Sequence, residues 1–157
     1  MAMSASSVAP RLRPATSGDV PRLVRMMEAF NRLEGVAWDA GAGAPALRRL
    51  LDAPALGLVC VVERDGEVLG YLVITWGYDL EWGGRDSFLT EIYLEPGARG
   101  AGVGTRVLAL VEDLAREHGA AALHLMVRPE NEPAVRLYAR AGYRSPPRTF
   151  LTKPLHP

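Results

Sequence analysis

The stretch Arg99-Gly100-Ala101-Gly102-Val103-Gly104-Thr105 constrains this chain more than any other. A strand-like apolar run, Phe88 to Leu94, ends just before it. Val103, Val107, Leu110, Val111 and Leu114 come next at helical spacing. A strand that turns through glycines into a helix leaves backbone N–H groups unpaired at the helix start, where the helix dipole adds partial positive charge. Such a turn suits a bound phosphate.

Two familiar phosphate loops do not fit. A GxxxxGK[ST] loop counted from Gly97 reaches Gly102, but Val103 stands where the phosphate-binding lysine is required. A GxGxxG fingerprint counted from Gly102 and Gly104 needs glycine at 107, which is Val107. What remains is RxxGxG: Arg99, Gly102 and Gly104.

The surrounding order of elements frames that turn. Arg11 to Pro14 reads as a first strand, and Thr16 or Ser17 as the cap of a helix from about Asp19 to Phe30. Gly35 to Ala44 reads as a loop, and Pro45 to Leu51 as a short helix. Leu58 to Glu63 and Val68 to Thr75 are β-branched runs separated by Asp65-Gly66, a hairpin signal. Trp76 to Arg85 reads as an aromatic connection and Ser87 to Leu94 as the next strand. A helix over Gly102 to His118, stopped by Gly119, leads to a strand over Ala122 to Val127. Asn131 caps a helix opening at Pro133 and closing at Gly142, and Phe150 to Leu155 reads as a last strand. Strand–helix–strand around 88–127 implies a parallel pair, and the hairpin implies antiparallel neighbours.

Together with the segments on either side of it, the RxxGxG turn resembles the GNAT superfamily of acyl-CoA-dependent N-acetyltransferases. Glu91-Ile92-Tyr93-Leu94 precedes the loop, and Asn131-Glu132-Pro133-Ala134-Val135-Arg136-Leu137-Tyr138 stands after it at the family's distance. Ala141-Gly142-Tyr143 matches the family's small-Gly-aromatic close. The specific match spans residues 87–145, whereas residues 11–76 match as a compatible order of elements. The resemblance implies an α/β (α+β) fold: one domain with a mixed, mostly antiparallel central sheet of about six to seven strands flanked by about four helices. Residues 1–10 are then a flexible N-terminal tail, without the basic start and apolar centre of a signal peptide, and residues 11–157 the acetyltransferase-like domain.

By the same resemblance the donor is acetyl-CoA. Its pyrophosphate rests on the backbone of Gly100, Ala101, Gly102, Val103, Gly104 and Thr105, with charge from Arg99. The pantetheine arm pairs with the backbone of Ile92, Tyr93 and Leu94, and the thioester lies where this strand and the 122–127 strand part. Asn131 and Ala134 contact the cofactor or set their helix. Tyr138 occupies the family's tyrosine and is the expected acid for the departing thiolate, since a phenol donates without prior change of charge. Attack by a neutral amine also needs a proton acceptor. Glu91 is the candidate base: it sits among apolar strand neighbours, where desolvation raises a carboxylate pKa. Alternation places Glu91 and Tyr93 on one face, and Thr90 and Ile92 on the other. An ion-pair role or a substrate-cation role for Glu91 stays open.

The acceptor is less legible. Phe30, Glu34, Trp38, Trp76, Tyr78, Asp79, Glu81 and Trp82 fall on the expected acceptor side, where aromatics beside carboxylates suit an organic cation. The expected partner is a small-molecule or peptide amine; a homodimer is left open. A non-catalytic acyl-CoA-binding regulatory module has no use for Tyr138. Acylation of a protein or aminoacyl-tRNA finds only the run Arg136, Arg140, Arg144 and Arg148, against a formal net charge of zero. That balance speaks against nucleic acid or an anionic membrane, and no apolar run approaches the roughly 20 residues of a membrane span. His118, His124 and His156 lack metal-ligand spacing. The one cysteine, Cys60, sits in an apolar run and fits core packing in a reducing, cytoplasmic setting. Of eighteen lysines and arginines only Lys153 is lysine, the usage of a GC-rich bacterial genome.

Overall fold

Alternating β-branched residues build one sheet, in which strands β1 (Arg11–Pro14), β2 (Gly57–Arg64), β3 (Glu67–Asp79), β4 (Gly84–Leu94) and β5 (Leu123–Leu125) lie in that spatial order. The first four are antiparallel, and β5 runs parallel to β4. The computed structural model describes residues 8–155, so most of the expected N-terminal tail, and His156, lie outside the described residues. Asp65 and Gly66 both take positive φ, 52° and 80°, as the β2–β3 hairpin turn requires.

Helices cover both faces. On one side α1 (Val20–Glu34) and α2 (Ala40–Leu51) bring Leu23, Met26, Met27 and Leu47 onto Val59, Val61, Tyr71, Val73 and Tyr93. On the other, α3 (Val103–Glu117) and α4 (Glu132–Arg140) bring Val107, Leu108, Val111 and Tyr138 onto Cys60, Val62, Leu72, Ile74 and Leu89. Val107, Leu108 and Val111 are essentially sealed from water, and each such burial stabilises by about 1.5–3 kcal/mol. Cys60 belongs to this core, and burial pushes its thiol up to about 11. At the start of the fold Arg13 reaches both Asp19 and Glu63, tying β1 to β2 and to the entry of α1.

Several element bounds depart from expectation. Among the described residues the sheet has five strands, because Phe150–Leu155 forms none. Pro154 removes a backbone donor from that segment, and three-residue β5 offers little edge to pair with. Helix α2 begins at Ala40, inside the expected loop, because the Asp39 side chain accepts from the Gly41 N–H and the alanines then propagate the turn. The aromatic stretch Trp76–Arg85 is mostly strand, leaving a turn of four residues, 80–83, between β3 and β4.

Candidate active site

Register decides where the chemistry sits. Val73 lies opposite Glu91 and Ile74 opposite Leu89, so Thr90 is an extra residue, a β-bulge, held by its hydroxyl donating to the Val73 carbonyl at 3.2 Å. The bulge puts Leu89 and Ile92 on the α3 side, while Glu91 and Tyr93 face α1 and α2. Strands β4 and β5 pair only across Ser87–Leu89 and Leu123–Leu125. From Thr90 to Leu94 the outer edge of β4 has no strand beside it among the described residues. The two strands thus part after Leu89 and Leu125, so β5 is shorter than the 122–127 strand expected from sequence.

The glycine turn lies beyond that open edge. Gly100, Ala101 and Gly102 take φ of 84°, 49° and 78° in succession, and Gly102 is the N-cap of α3. Their three N–H groups make no hydrogen bond within the described residues, while Val103 and Arg106 donate to the Gly100 and Gly102 carbonyls. A Cβ at Gly100 or Gly102 would meet nothing within 4 Å, so these glycines serve backbone conformation and access, not packing. Gly104 differs: its Cβ would stand 3.3 Å from Leu137, so it lets α3 approach α4. Arg99 turns back on the strand, its Nε donating to the Leu94 carbonyl at 2.9 Å and its guanidinium over the Tyr93 ring.

Helix α4 carries the expected phenol. Asn131 accepts from the Ala134 N–H at 3.3 Å and so caps α4, which fixes the Tyr138 ring against Tyr143. Tyr138 is buried, and its hydroxyl is held above the ordinary tyrosine range by burial and, second, by the negative charge of Glu34. That places Glu34, at the C-terminal end of α1, toward Tyr138. The Arg128 guanidinium donates to the Glu34 carbonyl at 2.7 Å, linking the β5–α4 connection to α1.

Glu91 has a partner that strand alternation did not reveal. The hydroxyl of Tyr71, a side chain with no exposed surface, donates to Glu91 Oε2 at 2.6 Å. Burial raises the Glu91 carboxyl above its usual range, and the Tyr71 bond opposes the rise. No cation pairs with Glu91 among the described residues, so the ion-pair option is not what the structure has. Its carboxylate borders a pocket of about 190 Å³ between the sheet and α1–α2.

The acceptor-side residues do not converge. Trp38 lines that same pocket, and Phe30 packs in the α1–α2 core. Trp76 faces the opposite side, donating to the Pro54 carbonyl and stacking on His118. Tyr78 and Trp82 are exposed at the β3–β4 tip, where Glu81 is bound by Arg148. Among the described residues no group of three or more His, Cys, Asp or Glu could hold a metal ion, and His124 instead faces Asp86 at 3.2 Å. Among them, too, no helix is long and apolar enough to cross a membrane.

A five-stranded sheet parting at a bulge, with a glycine turn opening a helix beside the split, defines an acyltransferase architecture. The chain belongs to the acetyltransferase (GNAT) family, whose model matches residues 23–143, and it is an acetyl-CoA-dependent acyltransferase. It is similar to the mouse (Mus musculus) thialysine N-epsilon-acetyltransferase, 29% identical over 142 residues that cover 83% of this chain and 79% of the relative. Among solved structures, an integron cassette protein from the mobile metagenome of Cole Harbour Salt Marsh is 34% identical, with a TM-score of 0.80 over 93% of this chain and 91% of its own. An aminoglycoside N-acetyltransferase in complex with CoA shares the fold at 15% identity, with a TM-score of 0.79 over 98% of this chain and all of its own.

Proposed function

We propose that the protein transfers an acetyl group from acetyl-CoA directly to a primary amine of a small molecule or peptide, through a ternary complex. The observation that carries this reading is the Thr90 bulge. Beside it the Thr90–Leu94 edge is open next to the glycine turn while Glu91 stays on the α1–α2 side, an arrangement that supports separate approaches for donor and acceptor. Named N-acetyltransferases among the relatives support an amine acceptor; thialysine is the acceptor in the mouse relative's name.

On this reading the pyrophosphate of acetyl-CoA takes the N–H groups of residues 100–105, and the pantetheine arm lies along Ile92, Tyr93 and Leu94. Val103, Gly104 and Thr105 contribute through the first turn of α3, whose N–H groups have no helical partner. Arg99 supplies positive charge near the Leu94 end, and Asn131 and Ala134 set α4 beside the arm. The amine enters from the α1–α2 side. As its nitrogen bonds to the thioester carbon it loses a proton to Glu91, directly or through water. The C–S bond then breaks, and the thiolate takes a proton from Tyr138, which its environment keeps in the protonated, donating form. Glu91 is suited to the base role because it is raised above the ordinary carboxylate range and Tyr71 engages only one of its oxygens. Tyr71 is then a positioning residue. The setting of the reaction is the cytoplasm, where acetyl-CoA and a reduced Cys60 thiol both belong.

Free-thiol release from acetyl-CoA across a panel of amines, with Tyr138→Phe and Glu91→Gln alongside, tests the reading. General acid or base groups contribute typically about 10²–10⁴-fold, so each variant should lose at least 100-fold in kcat while acetyl-CoA still protects it against heat. Unchanged turnover in Tyr138→Phe would remove the acid assignment. Thermal protection by acetyl-CoA without turnover on any amine, peptide or tRNA would make the protein a binding module instead.

A further inference from the structure

The pocket beside Glu91 has an uneven lining. Met27, Trp38, Leu47, Leu50 and Val73 supply apolar walls, and Glu91 is the one charged residue among them. Tyr71 of β3 occupies Glu91 Oε2; on the same face Tyr93 of β4 turns its hydroxyl to Glu95, and Arg13 and Glu63 pair with each other. Trp38 is fixed in place, because the indole lies against the backbone of α2 at Gly43, where any Cβ would overlap it. At ~30 Å³ per water-sized group, 190 Å³ holds about six non-hydrogen atoms.

We propose that this pocket is the acceptor site and that it takes a primary amine with a compact, uncharged, apolar body of about six non-hydrogen atoms. The inference rests on the reading of Glu91 as the proton acceptor for that amine. One carboxylate serves one ammonium. A second ammonium, or a carboxylate on the acceptor, lying against the Met, Leu, Val and Trp walls would meet no opposite charge among the lining residues, whereas an apolar body gains from contact there. The apolar walls also disfavour the ammonium form of the bound amine, which favours the neutral nucleophile that attack requires. This acceptor differs in class from thialysine, which carries further charges beyond its reacting amine.

The discriminating pair is n-pentylamine and 1,4-diaminobutane, equal in non-hydrogen atoms and differing by one terminal charge, with thialysine as a third acceptor. With the intact chain and saturating acetyl-CoA, kcat/KM for n-pentylamine should exceed that for either of the others by at least tenfold. Ala46→Phe, at an exposed position of α2 that lines the pocket, should raise the KM for n-pentylamine at least tenfold without altering thermal protection by acetyl-CoA. Independently of turnover, n-pentylamine should shift the Trp38 indole N–H resonance, identified with Trp38→Phe, and 1,4-diaminobutane should not. Equal or better transfer to the diamine or thialysine overturns the proposal, as does an unaffected Ala46→Phe or an unmoved Trp38 resonance. A Trp38 shift without acetyl transfer would support the pocket and its ligand class while striking the reading of Glu91 as a catalytic base.

Discussion

Replacing Tyr71 with phenylalanine isolates one hydrogen bond in the proposed mechanism. The hydroxyl donates to Glu91 Oε2 at 2.6 Å from a fully buried ring, and no other side chain donates to Glu91 among the described residues. A hydrogen bond to a charged group is worth about 1.5–3 kcal/mol. Because the protonated carboxyl loses only a neutral bond, the difference between the two losses raises the Glu91 carboxyl further. The sign of the stability effect comes from linkage. Glu91 already titrates above its ordinary value of 4.5 in the folded chain, so between the unfolded and folded values the native state holds the extra proton. That group therefore costs stability as pH rises through the window above 4.5, and Tyr71→Phe deepens the cost. Urea denaturation should find the variant destabilised by about 2–3 kcal/mol at pH 8 and by only about 1 kcal/mol at pH 4, where a neutral carboxyl loses a neutral hydrogen bond. The acid limb of kcat/KM should move up in the same direction, so that activity falls more at pH 6 than at pH 9. Carbon-13 titration of the Glu91 carboxyl reads the shift without turnover. A pH-independent loss of stability together with an unmoved acid limb would refute the reasoning.

Other perturbations address the remaining parts. Gly102→Ala places a Cβ in open space but at φ of 78°, so it should cost roughly 1–2 kcal/mol of stability by urea denaturation; on the proposed function it should also weaken acetyl-CoA binding at least tenfold by calorimetry. Gly104→Val instead drives branched carbons toward Leu137, and overpacking there should cost about 1–3 kcal/mol by the same measurement. Arg13→Met removes the guanidinium that holds the Asp19 and Glu63 carboxyls below their ordinary 3.8 and 4.5. A depressed carboxyl stabilises the fold above its unfolded value and loses that contribution as pH falls through its folded one. The variant should thus be about 1–2 kcal/mol less stable at pH 7, the lower part of the range for charged bonds because Arg13 is partly screened, with the difference shrinking below pH 4.

Local chemistry made much of the fold legible. Asp65-Gly66 demands positive φ twice and receives it. The Val103–Leu114 spacing gives α3 its buried stripe, and Asn131 caps α4 through its own side chain. What sequence hid were places where tertiary context overrides composition. Gly41 and Gly43 disguise the start of α2 as a loop, yet the Asp39 cap and the packing of Leu47 hold the helix from Ala40. Phe150–Leu155 has strand-like residues but no pairing edge, and Pro154 forgoes a donor a strand would use.

The site divides along the same line. Tyr138 and the glycine turn are legible because each belongs to a local strand–helix or capping pattern. Tyr71 is not, because its link to Glu91 exists only through register. Tyr71 lies opposite Tyr93, and Glu91 lies opposite Val73, so the two are diagonal neighbours across the β3–β4 pair, a separation only long side chains bridge. Beyond this pair the Thr90 bulge changes the register, and without it Leu89 and Glu91 would share one face of β4. Instead Leu89 packs toward α3, while Glu91 reaches Tyr71 and the pocket. No glycine or proline marks the bulge at Thr90. One extra residue therefore sets the orientation of the proposed base and marks where β4 leaves β5, which is why the glycine turn could be read from sequence while the neighbourhood of Glu91 required the sheet.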